Sequence, residues 1–235
     1  MGLWLLLILA LVVIATVGWF RWQAEQKRRA LLAEWAAANK WSLRSEDDSL
    51  CSRWGGTPFD EGDHRRARNV LSGSWKDRPF VSFDYSYETH SSDGRGGRST
   101  TTHRYAVSAV QIPAWLPTLQ VVPETMLTRL GNAVGITDIE LESEDFNREF
   151  RVHASDPKFA SDVLTPRTMQ LLLSREHFSW RIEGTDILCW QPGEQHPAAV
   201  TAAVATMLDV VAGIPSFVWH DRGTDTGTSV LGGAP

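Results

Sequence analysis

Histidines and clustered carboxylates are the residues whose spacing could do chemistry. His90 and His103 flank a polar, glycine-rich stretch, residues 90–99, reading HSSDGRGGRS. If that stretch is a hairpin tip, the two imidazoles face each other across it. With Asp84 or Glu88 nearby they could hold one metal ion. A third ligand is not evident, and exposed strand-end histidines are the plainer account. Asp138, Glu140 and Glu142 alternate with Ile139 and Leu141. In a strand, period two puts the three carboxylates on one face. That face could take a divalent cation or supply a catalytic pair. It equally describes a solvated sheet face paired with arginines: Arg148 and Arg151 nearby, Arg66 and Arg68 farther off.

Catalytic motifs do not select a set. There is no G-x-S-x-G elbow, no Walker A loop and no H-E-x-x-H. Gly94-Arg95-Gly96-Gly97 lacks the spacing of a dinucleotide fingerprint. The chain reads as a non-enzyme without a cofactor. Its densest basic run past residue 40 is His64-Arg65-Arg66-Ala67-Arg68. Arg65, Arg66 and Arg68, with Lys27, Arg28 and Arg29, are candidates for contact with an anionic lipid surface or a protein partner. A cation near such a surface contributes about 1 kcal/mol.

These residues must be positioned by something, and the first element is plain. Residues 3–20, LWLLLILALVVIATVGWF, carry no charge. At about 1.5 Å per residue such a helix roughly crosses a hydrocarbon core. Trp4, Trp19 and Trp22 stand at its ends, where amphipathic rings anchor at the interface. Arg21, Lys27, Arg28 and Arg29 follow on one side only, which places the rest of the chain in the cytoplasm. A cleaved signal peptide would need a basic start and a small-residue cleavage site, and neither is present. The expected organisation is a transmembrane helix over residues 1–22, a helical stalk over 23–40, one soluble domain over 41–222 and a disordered tail over 223–235. Leu31, Leu32, Trp35 and Ala38 give the stalk an apolar face for docking.

The domain reads as α+β. Alternation predicts strands at 66–75, 80–89, 100–112, 118–122, 137–142 and 151–154. An irregular crossing is expected at 113–117, a helix at 124–133, and a hairpin at 178–191 across Gly184-Thr185. Caps at Ser143, Asp156 and Thr165 open short helices. Residues 197–212 form a core helix rather than a second span, being Ala-rich without basic flanks. The sum is a set of antiparallel strands packed by a long C-terminal helix, with a pleckstrin-homology-like barrel as one possible form.

Composition narrows the rest. Lys+Arg number 23 against 28 Asp+Glu, a net charge of -5, which disfavours nucleic acid as a partner. Cys51 and Cys189 are too few for a disulfide scaffold and read as reduced thiols. The 11 tryptophans are mostly core, or else line a groove for a partner.

The runs RRARNVLSGSW, RPFVSFDYSY, THRYAV, DIELESEDFNREFRV, FASDVLTPRTM and GIPSFVW resemble an uncharacterised actinobacterial family with one N-terminal membrane helix and one soluble domain. The stretch holding Phe146, Phe150, Val152, Asp156, Ala160, Leu164, Thr165, Pro166 and Met169 is also similar to a wider bacterial domain of unknown function. The resemblance implies an anchor and a single domain, and no catalytic residue. The expected function is thus a single-pass membrane protein whose cytoplasmic domain binds a protein partner or the inner leaflet. The alternative is a membrane-tethered, hydrolase-like or metal-dependent enzyme using the carboxylate strand or the His90–His103 pair.

Overall fold

A computed structural model of the chain describes residues 2–92, 97–129 and 137–223. It opens with one uninterrupted helix, α1 (Gly2–Ala38). Residues 23–38 have good helix formers and no Gly or Pro to break it. In the turn after it Lys40 takes the left-handed conformation at φ 58°, while the Asn39 side-chain amide donates to the Trp35 carbonyl at 2.8 Å.

The rest is α+β, built on seven antiparallel strands. They are β1 (Ser42–Glu46), β2 (Asp63–Trp75), β3 (Arg78–Ser92), β4 (Arg98–Pro123), β5 (Thr137–Ile139), β6 (Phe150–Ala154) and β7 (Ser179–Pro192). The order is β1-β2-β3-β4-β6-β5, with β7 on the other side of β4. This branched path does not close into a ring, and a pleckstrin-homology-like barrel is not established.

Two expectations are corrected by β4 and β7. The crossing expected at 113–117 is part of β4, which runs through it. The hairpin expected across Gly184-Thr185 is one strand. Gly184, at φ 61°, pairs with Leu116, and the register of β4 against β7 shifts on both sides of that pair. Both strands therefore bend together, where the sequence suggested a reversal in one and a break in the other. Two more expectations shrink. The helix expected at 124–133 is a 3-10 turn at Glu124–Arg129, and residues 130–136 lie outside the described set. The tail expected from 223 also falls there beyond Gly223.

Bending divides the core. Past the bend, β4, β6 and β7 carry the helices α2 (Glu144–Glu149), α3 (Pro157–Val163), α4 (Pro166–Leu173), α5 (Pro197–Gly213) and α6 (Ser216–Gly223). Ser143, Asp156 and Thr165 cap α2, α3 and α4 as the sequence requires. Phe146, Phe159, Trp180, Val204 and Met207 fill this cluster. Before the bend, a second cluster of Trp54, Phe59, Phe83, Tyr85 and Trp190 lies under the segment between β1 and β2. That segment is fastened by Arg181, 2% exposed, which donates to the Gly55 carbonyl at 2.5 Å and the Thr57 carbonyl at 3.4 Å, and is itself held by Gln120 and Glu183. Cys51 and Cys189 are buried free thiols in different clusters. Burial pushes Cys189 up to about 12.

Candidate functional site

The opposite face of the β2–β3–β4 sheet belongs to α1. Period two assigns it Arg66 and Arg68 from β2, Asp84, Ser86 and Glu88 from β3, and Thr102 and Arg104 from β4. The register places Arg66 and Arg104 across from Ser86, Arg68 across from Asp84, and Glu88 across from Thr102.

A bulge then changes the parity of β2. Asn69 sits at φ 51°, and the pairing of β2 with β3 shifts between Arg68 and Leu71. After the shift the odd positions face α1. Leu71 meets Leu32 and Ala36 in a small buried cluster. Gly73 meets Trp41 so closely that a β-carbon there would stand 2.2 Å from the indole Cδ1. Trp41 donates its indole N–H to the Ser74 carbonyl at 2.8 Å. Its ring stacks on Trp75 at 5.2 Å and meets Trp35 edge-on at 4.9 Å. The docking face expected on the stalk is therefore made by Leu32, Trp35 and Ala36, while Leu31 and Ala38 are exposed.

One turn earlier on α1 the contact becomes ionic. Arg28 Nη1 donates to Asp84 Oδ2 at 2.8 Å, Arg28 pairs with Glu25 at 2.9 Å, and its Nε lies 3.1 Å from Glu194. Asp84 also accepts from Asn69 Nδ2 and from the Gln195 backbone N–H, each at 2.8 Å. Gln195, 0% exposed, donates to the Asn69 carbonyl and accepts from Ser82. A continuous polar chain thus runs from the helix into the sheet interior. Burial opposes the charge on Arg28, but Asp84 and Glu25 outweigh it and raise its pKa. Burial likewise raises Glu25, and hydrogen bonds from Arg29 and Arg28 outweigh it, leaving its pKa lowered.

Between this clamp and the sheet lies a cleft of about 450 Å³. It gathers four of the six basic residues singled out from sequence: Arg28, Arg29, Arg66 and Arg68, with Arg104 added. Lys27 is exposed and does not line it. Arg65 points elsewhere, donating to the Glu61 and Gly62 carbonyls. Arg28 is paired with Glu25, Asp84 and Glu194, Arg29 with Glu25, and Arg66 with Glu46 at 2.7 Å. Arg68 and Arg104 have no ion pair or side-chain hydrogen bond among the described residues. Sequence reasoning missed Arg104, Asn69 and Gln195, and offered Asp84 as a metal ligand where the structure pairs it with Arg28. The alternation of Thr102 and Arg104 with His103 and Tyr105 was the available signal.

The two metal or catalytic expectations fare differently from the arginines. His90 pairs in register with Thr100, and His103 with Tyr87, so the two imidazoles do not meet across the hairpin. His103 bonds to Thr89 and stacks on Tyr87 at 4.7 Å. The carboxylate strand ends early. Asn147 bonds both the N–H and the carbonyl of Leu141, drawing the chain out of β5 toward α2. Glu140 and Glu142 lie past Ile139 and are exposed. The Asp138 side chain is outside the described set. Among the described residues no catalytic carboxylate pair is assembled there.

Residues 117–183 match a protein family described as "Protein of unknown function (DUF3137)". That segment encloses the Phe146–Met169 stretch and runs from the second half of β4 into β7. A domain of unknown function is thus found where the sequence resembled one. No curated protein matches the chain. Among solved structures, the chain is similar to the mycobacterial trehalose monomycolate transport factor A, TtfA, with a TM-score of 0.60 at 13% identity. The match covers 80% of this chain and 96% of that one. At that identity the likeness is one of fold. Neither similarity brings an enzymatic activity with it.

The N-terminal part of α1 stands apart from the sheet. Trp4, Trp19 and Trp22 are all exposed, as are Ile8, Leu9, Leu11 and Ile14. Among the described residues no helix is long and apolar enough to cross a membrane. The side chains of Leu3, Leu5, Leu6, Leu7, Ala10 and Arg21 are outside that set, and all but Arg21 belong to the apolar run of residues 3–20.

Proposed function

We propose that the chain is a single-pass, membrane-anchored, non-catalytic factor whose cytoplasmic domain holds its arginine cleft against anionic lipid headgroups. The observation that carries this reading is the pair of guanidiniums, Arg68 and Arg104, that have no ion pair or side-chain hydrogen bond among the described residues, in a cleft walled by the helix that continues the apolar run. Ile8, Leu9, Leu11, Val12, Val13, Ile14 and Val17 are exposed apolar side chains on this helix, which is unfavourable in water and would be relieved in a bilayer. Residues 25–29 follow Phe20 by five to nine positions, or about 8–14 Å along the axis. The headgroup layer on each side is about 5–8 Å thick. The cleft thus opens at the boundary between headgroups and water. A phosphate there would meet two charged donors that need no prior partner broken. Lys27 and Arg29 add exposed charge beside it. The structural neighbour is a trehalose monomycolate transport factor, which supports a non-catalytic, membrane-associated role. The sequence resemblance to an actinobacterial family agrees with that reading.

The test is hydrogen exchange on the full chain in nanodiscs. Replacing neutral lipid with anionic lipid should protect the backbone of residues 66–68 and 102–104. Arg68→Glu with Arg104→Glu should abolish that protection while leaving the melting midpoint within a few degrees. Equal exchange in both lipids, or protection that survives charge reversal, defeats the reading.

A further inference from the structure

At the rim of the cleft four side chains converge that sequence reasoning did not combine. Asp63, His64, Glu88 and His90 each bring a ligand atom, and these atoms all lie within 4.8 Å of one another. His64 Nδ1 is 3.0 Å from Asp63 Oδ1 and 3.6 Å from Glu88 Oε2. His90 Nε2 is 3.1 Å from the same Asp63 oxygen. We propose that these four residues bind a zinc-class divalent cation.

Ligand chemistry favours that class. Two imidazoles and two carboxylates are too nitrogen-rich for calcium or magnesium, which take oxygen. They suit zinc and its first-row neighbours. Metal–ligand bonds of about 2.0–2.1 Å set neighbouring ligands of a tetrahedron about 3.4 Å apart. The observed separations straddle that value, so closing on a cation needs side-chain adjustment only.

The backbone is arranged to bring the four together. Asp63 pairs with Glu88 across β2 and β3, and Glu88 and His90 share a face at spacing two. His64 would ordinarily point to the other face. Its φ of 48° and the register shift between Asp63 and Arg66 turn it onto this one. A non-glycine residue in that conformation is held there against a cost. Gly62, at φ 55°, lets the chain lie directly on β3, where a β-carbon would stand 2.2 Å from the Glu88 carbonyl oxygen. His90 has an outer partner of the kind metal-bound imidazoles use: its Nδ1 lies 3.0 Å from Thr100 Oγ1, leaving Nε2 to face the cluster. The imidazole once matched to His90 was His103. The structure supplies His64 in its place.

Four protein ligands leave no open position, so the cation would be structural. It would staple the start of β2 to the turn end of the β3–β4 hairpin.

The test uses the full chain in nanodiscs, stripped by a chelator and titrated with zinc against a chromophoric competitor. One equivalent should bind. His64→Ala and His90→Ala should each weaken binding at least tenfold, and Thr100→Val by about tenfold. His103→Ala should bind as the parent does. Cobalt should give the visible spectrum of a four-coordinate site, lost in His64→Ala. Absence of stoichiometric binding overturns the assignment. So does parental affinity in His64→Ala, or equal loss in His64→Ala and His103→Ala. All of these residues are exposed or half-buried, and circular dichroism of each variant should match the parent.

Discussion

Arg28 and Asp84, 56 residues apart in sequence, meet at 2.8 Å, with side chains only 16% and 14% exposed. One belongs to the helix and the other to the sheet, so this contact adds an ionic fastening to the apolar docking of Leu32 and Ala36 on Leu71. Truncating Asp84 leaves Arg28 with Glu25 and Glu194, and truncating Arg28 leaves Asp84 partly buried with only the neutral donors Asn69 and Gln195. Arg28→Ala and Asp84→Ala should each cost about 2–3 kcal/mol. The double variant should cost less than the sum, with a coupling of about 1–2 kcal/mol. Chemical denaturation checks the magnitudes. Faster hydrogen exchange over residues 28–38 in either variant locates the loss.

Gly73 and Trp41 offer a steric test of the same docking. Gly73→Ala forces the indole off the strand, breaks its hydrogen bond to the Ser74 carbonyl and disturbs the Trp35–Trp41–Trp75 group. A loss of about 1–3 kcal/mol is expected. Tryptophan fluorescence should change together with stability.

Asn69 carries two separable loads. Its backbone is left-handed, and its side chain donates to Asp84. Asn69→Gly keeps the first and loses the second. Asn69→Ala loses both and should be the less stable of the two by about 1 kcal/mol. Equal melting midpoints would show that the bulge imposes no conformational demand.

Glu25 makes the docking acid-sensitive. Its pKa in the folded chain is lowered from 4.5, so its contribution is fully present above that value. The contribution is lost as pH falls below 4.5 through the lower folded value. Exchange protection over α1 should therefore weaken in that window. In Glu25→Gln that component of the pH dependence should vanish.

The elements that local pattern controls were legible in the sequence. The caps at Ser143, Asp156 and Thr165, the strands on either side of Lys76-Asp77 and the helix over 197–212 follow from spacing and propensity alone. What escaped depends on register. Nothing local to Asn69 says that it flips the parity of β2, yet that flip brings Leu71 to Leu32. Gly184-Thr185 has the composition of a turn, and only pairing with Leu116 makes it a bend. The arginines of the cleft were half legible: the clusters at 27–29 and 65–68 were visible, but their juxtaposition needs Asp84. The period of two through Asp138, Glu140 and Glu142 misled because Asn147, a later residue, ends the strand.

The unbroken course of α1 fixes a compass bearing for the domain. Each residue of a helix turns its successor by about 100° and advances it about 1.5 Å. Clamped at Arg28 and Trp35, the sheet must follow that rotation. One alanine inserted between Trp22 and Glu25 would swing the cleft by about 100° relative to residues 2–20, with hardly any change in height. Seven would return it to within about 20° of its original heading and lift it by about 10 Å. Azimuth and elevation can thus be altered separately, and a neighbour that reads only one of them would respond to only one of the two insertions.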